Sequence, residues 1–176
     1  MKYTPKTDSR KKGEAQDSDS LYFVLEPVAK GLGMAVLDLS VCRRKGRGGN
    51  PGNVQVRVAL YKAGKMGLDD CSRFHKAILP RMELAFPGSD VYLEVSSPGI
   101  GRLIKDGSEM ALFTGRVIKC YCAQTPGAEI AANDSGWIKG ALKGSDENGI
   151  TLETENGEIV LKYEAIAKAK LDETDV

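Results

Sequence analysis

The chain has 176 residues, of which 41% are hydrophobic and 28% charged, close to the globular average and incompatible with global disorder. That length accommodates one domain or two small ones. No apolar run approaches the roughly 18 residues a membrane helix needs, and the opening MKYTPKTDSRKKGEAQDSDS lacks the apolar stretch of a signal peptide, so a cytoplasmic protein is expected. The net charge of +1 conceals a division along the chain. Residues 21–107 carry thirteen basic and eight acidic side chains, whereas residues 108–176 carry seven and twelve. A half of net +5 joined to a half of net −5 suits one end facing a polyanion and the other facing protein or solvent. Chance variation between small domains gives the same pattern without a partner.

Residues 1–18 are almost devoid of apolar side chains and are expected to form a flexible tail, because burial there cannot offset the entropy of ordering. LYFVLEPVAKGLG places Leu21, Val24, Leu25, Val28 and Leu32 on one helical stripe, with Ser20 able to cap the start and Gly31 or Gly33 the end. Pro27 predicts a kink or a late start. MAVLDLSVCR and NVQVRVALYK read as strands, the second with Val54, Val56, Val58 and Leu60 on its buried face. The segment RRKGRGGNPGN between them is rich in Gly, placing Arg43, Arg44, Lys45 and Arg47 on a flexible loop at a hairpin end.

LDDCSRFHKAILPRMELAF predicts a second amphipathic helix, with Cys71, Phe74, His75, Ile78 and Met82 along one face and Asp69 and Asp70 at its positive end. VYLEV supplies a third strand. Two helices covering a three-stranded sheet make an N-terminal α/β domain over residues 19–96. SSPG then forms a joint within a linker at residues 97–107, since Pro98 biases Ser97 to extended backbone and Gly99 permits a bend. GRVIKCYC, WIKGALKGSD, GITLETEN and GEIVLKY, separated by turns such as Asn148-Gly149 and Asn156-Gly157, predict a small all-β barrel over residues 108–171. Residues 172–176 are expected to be a flexible C-terminus. The fold class is therefore α+β.

Candidate chemistry is sparse. Cys42, Cys71, Cys120 and Cys122 have no zinc-ligand spacing, and are expected to be free thiols. Cys71 and His75 lie one helical turn apart, but on the apolar stripe, where packing explains them without a nucleophile-base pair. Asp69 and Asp70 are accounted for by capping. No phosphate-binding, dinucleotide or hydrolase motif occurs, so no catalytic residue, cofactor or metal is expected. The basic residues remain. Arg43, Arg44, Lys45 and Arg47, with Arg57, Lys62 and Lys65, form a candidate phosphate-contacting edge, and Arg102 and Lys105 follow the joint. Aromatics for stacking on bases are few, which argues against sequence-specific readout.

The run GLDDCSRF followed by VYLEVSSPGIGRLIK resembles the RimP family of ribosome maturation factors, and similarity extends in order through LEPVAKGLGMAVLDLSV and GITLETENGEIVLKYEAIAKAKL. The resemblance implies an N-terminal α/β domain and a C-terminal Sm-like or SH3-like barrel. It further implies a monomer without catalysis that binds the free 30S small ribosomal subunit late in assembly, contacting its rRNA and a ribosomal protein near the decoding region. By position, Ser96, Ser97, Pro98, Gly99 and Arg102 match the family motif. Gly101 and Leu103 stand where the family usually has an acidic residue and a proline, so this segment is expected to be more flexible and the pose of Arg102 less fixed. A general RNA chaperone acting through an Sm-like barrel is the alternative function, disfavoured by the negative charge of that half.

Overall fold

A computed structural model of the chain describes residues 12–44, 46, 52–64, 66–99, 101–122 and 136–172, with side chains from Ser20 onward. The described residues fall into two compact units, one up to Pro98 and one from Gly99 onward.

The first unit opens with α1 (Lys12–Gly31), which starts eight residues before the expected cap at Ser20. Residues 12–19 lack an apolar period to signal a helix, so their helicity is invisible to pattern reading. Leu21, Leu25 and Ala29 form its buried stripe, whereas Val24 is exposed. Pro27 lies within the helix and does not delay its start. Gly33, at φ 72°, ends it. The amide of Gly33 donates to the Lys30 carbonyl at 3.0 Å, and that of Met34 to the Ala29 carbonyl at 2.8 Å. These are the paired bonds of a Schellman cap.

Strands β1 (Ala35–Arg44) and β2 (Asn53–Tyr61) pair antiparallel. Helix α2 (Leu68–Ala85) crosses to β3 (Asp90–Ser96), which joins β2 in parallel, giving the order β1-β2-β3. The alternation in β2 buries Val54, Val56, Val58 and Leu60, as expected from the sequence. They share one core with Leu21 and Leu25 of α1 and with Phe74, Ile78 and Met82 of α2. At about 25 cal/mol per Å² of apolar surface, this shared core is what holds the helices on the sheet. Arg43 and Arg44 end strand β1, paired with Val54 and Asn53; they do not lie on a loop. The run of glycines beyond them obscures where pairing stops.

The second unit contains a short helix, α3 (Gly107–Leu112), where the sequence suggested linker and strand. Asp106 caps it, accepting from the amides of Ser108 at 3.0 Å and Glu109 at 2.9 Å. Among the described residues five strands come after it, one more than expected: β4 (Val117–Cys122), β5 (Trp137–Ser145), β6 (Gly149–Thr154), β7 (Gly157–Lys162) and, after a 3₁₀ turn at Tyr163–Ala165, β8 (Ile166–Leu171). They form an antiparallel sheet in the order β7-β6-β5-β4-β8. Among the described residues no ladder joins β7 to β8, so the expected closed barrel is not found. Strand alternation reveals hairpins, whereas closure depends on tilt and shear that no single strand encodes.

Ile118, Cys120, Ile138, Leu142, Leu152 and Ala169 are buried on one face of this sheet, together with Met110 and Phe113 from α3 and the loop after it. Asp172, expected in a flexible end, is itself buried.

Candidate nucleic-acid interface

The basic residues identified from sequence separate into those that remain on the surface and those bound internally. Arg44 is exposed at the end of β1. Beside it, the Arg43 guanidinium lies 4.9 Å from the centroid of the Phe86 ring, a cation–π contact that holds it against the first unit's core. Lys45, Arg47 and Lys65 lie outside the described residues.

Lys62 has a structural partner. Its Nζ donates to Asp70 Oδ1 at 3.0 Å, and Arg73 donates to the same oxygen at 2.6 Å. Asp70 Oδ2 accepts from the Gly67 amide at 3.0 Å, closing the first turn of α2. The Gly67 amide, followed by Lys62 and Arg73, holds the Asp70 carboxyl well below the usual carboxylate range. Asp70 is therefore a capping residue, as the sequence suggested, tied to the end of β2. At the next position, the thiol of Cys71 is pushed up by burial and by the charge of Asp70, the reverse of what an attacking thiolate requires.

After the joint, Ser96 ends β3 opposite Ala59, and the Gly99 carbonyl accepts from the Arg102 amide at 3.1 Å. Gly101 takes φ 69°, a conformation that costs little only for glycine. Arg102 is not loosely posed. Its Nε and Nη2 donate to Glu109 Oε1 at 3.1 and 2.5 Å, and both side chains are nearly buried, at 11% and 8% exposure. The Lys105 amide donates to the other carboxylate oxygen of Glu109 at 2.5 Å. Backbone bonds from Leu171 to Arg102 and from Ile104 to Ala169 stitch the segment to β8. The glycine therefore permits the turn, while Glu109 and β8 fix the residues from Arg102 to Lys105.

A further basic cluster escaped sequence reading. On the sheet face opposite the second unit's core, Lys119 of β4 stands between Lys139 of β5 and Lys170 of β8 in one cross-strand row. The next row places Tyr121 between Trp137 and Lys168. Lys119 and Lys139 each reach Asp172, at 2.6 Å to Oδ1 and Oδ2 respectively. The Lys170 ammonium lies 5.0 Å from the Trp137 ring centroid, and Tyr121 packs against Trp137 at 5.5 Å. The available signal was the alternation W-x-K, K-x-Y and K-x-K in three segments that strand pairing brings together.

Residues 24–101 match the family described as the RimP N-terminal domain. Over 155 residues, spanning 88% of this chain and 96% of each relative, the sequence is 28% identical to the ribosome maturation factor RimP of Borrelia hermsii. Over the same spans it is 27% identical to that of Borrelia turicatae and 26% identical to that of Borrelia recurrentis. Residues 24–101 thus match a RimP N-terminal domain, and the chain is similar to ribosome maturation factors RimP over nearly the whole length of these relatives.

Proposed function

We propose that this chain is a ribosome maturation factor that binds the free, immature 30S subunit in the cytoplasm and assists its late assembly as a monomer, by binding energy alone. The observation that carries this reading is the colinear similarity, over 96% of their length, to proteins named as ribosome maturation factors. The charge division supports it, since a basic first half suits rRNA phosphate. Arg43, Arg44, Lys45 and Arg47 are the proposed rRNA contacts of that half. Lys62 and Arg102, held by Asp70 and Glu109, act chiefly by positioning, and Lys105 lies on the segment that Arg102 braces. A ribosomal protein near the decoding region is the proposed second partner, suited to the acidic half.

Depletion of the protein in its own host tests this. The expected result is accumulation of free small subunits carrying unprocessed rRNA, with large subunits unaffected. Normal small-subunit maturation on depletion would overturn it.

A further inference from the structure

Four of the seven basic residues in the acidic half, namely Lys119, Lys139, Lys168 and Lys170, stand on one face of three adjacent strands. Like charges directly opposite one another across strands destabilise a sheet, and here three occupy a single row. Asp172, beyond these two rows, reaches Lys119 and Lys139, and the rows themselves hold four lysines and no carboxylate inside a half whose total is −5. Fold stability does not require such an arrangement, since alternating polar residues of either sign would serve a solvent-facing sheet. Beside the row lies a depression of about 370 Å³, lined by Val117, Trp137, Ala141, Thr154 and Asn156 among others. Glu153 and Glu155 also line it; they repel phosphate but can accept from the ring N–H of a uracil base.

From this juxtaposition we infer that the outer face of β5-β4-β8 is a second RNA site, which takes a single strand with its phosphates along the lysines and a base in the depression beside Trp137. A positive track flanked by aromatic rings is the chemistry of sequence-tolerant single-strand binding. Duplex RNA would present phosphates alone and leave the depression empty. The proposal relies on the ribosomal reading only for where such a strand would be met.

Trp137 is the chain's sole tryptophan, so its fluorescence reports on this face alone. Titration of the full chain with an unstructured oligouridine is expected to change Trp137 emission saturably, and a duplex of equal length to change it far less. The double variant Lys139→Gln/Lys168→Gln should bind about tenfold more weakly. The slope of log affinity against log salt should shrink by about 1.4, at roughly 0.7 for each single-strand phosphate no longer neutralised. Unchanged melting establishes that the variant is folded, and Lys168→Gln alone, at an exposed position, serves if the pair is not. A silent Trp137 while the oligonucleotide binds elsewhere by anisotropy would overturn the proposal. So would wild-type affinity in the folded variants, or an equal response to polyglutamate, which would assign the face to an acidic polypeptide. None of these results alters whether the chain associates with small subunits, so the two readings fail separately.

Discussion

Arg102 and Glu109, seven residues apart, form a nearly buried ion pair that closes the start of the second unit onto its first helix. Removing one partner strands the other charge in a place water hardly reaches. Glu109→Ala is expected to lose about 3–5 kcal/mol of stability, the usual cost of breaking a buried pair from one side. The double variant Arg102→Met/Glu109→Leu should be more stable than either single variant, because replacing both partners removes the desolvation cost together with the attraction. Urea denaturation of wild type, Arg102→Met, Glu109→Leu and the double variant checks this. If the double variant is the least stable, the pair is not acting as a pair.

Asp70 makes stability depend on pH in a definite direction. Its folded pKa is depressed by the Gly67 amide and by Lys62 and Arg73, so its contribution is complete above the ordinary carboxylate value and fades as pH falls below about 4 toward the folded value. Asp70→Asn should therefore be less stable than wild type at pH 7, with the gap narrowing below about pH 4. Thermal melting across that range measures it. A gap independent of pH would mean that the side chain works by shape alone.

Two glycines of β5 make a paired test of packing. A Cβ at Gly140 would stand 2.7 Å from the Glu153 carbonyl oxygen, whereas one at Gly144 meets nothing within 4 Å. Gly140→Ala is expected to cost about 1–3 kcal/mol, in the range of overpacked sites. Gly144→Ala should stay within about 0.5 kcal/mol of wild type. Equal effects in chemical denaturation would contradict the strand packing described.

Asp172 sets stability against binding. Asp172→Asn removes the carboxylate that gathers Lys119 and Lys139. A loss of about 1–3 kcal/mol is expected, because two lysines lose their shared ion-pair partner. The lysine row is left more positive, so oligouridine affinity read from Trp137 should rise several-fold as melting temperature falls. Weaker binding in a folded Asp172→Asn protein would mean that the carboxylate orders the lysines for RNA and does not compete with it.

Much of the first unit was legible because its signals are local. The β2 alternation, the α2 stripe ending at Met82 and the Asp70 cap all lie within one turn or strand of the residues that produce them. The second unit was less so. Helix α3 depends on the Asp106 cap in a six-residue stretch too short to show a period, and β8 was not marked out as a strand of its own, with only the 3₁₀ turn at Tyr163–Ala165 dividing it from β7. The lysine row was hidden by averaging. A net charge of −5 over residues 108–176 said nothing of which side chains share a face, and strand pairing sorts four lysines onto one side. Arg102 shows the opposite error: its charge suggested a surface contact, while its partner seven residues on makes it structural.

The central claim, action on the small ribosomal subunit, is tested most directly by sedimenting the tagged full chain with fractionated ribosomal particles at matched salt. The account predicts that the chain migrates with free small subunits and is depleted from intact ribosomes. A chain that stays at the top of the gradient in their presence, or that prefers intact ribosomes, would contradict it.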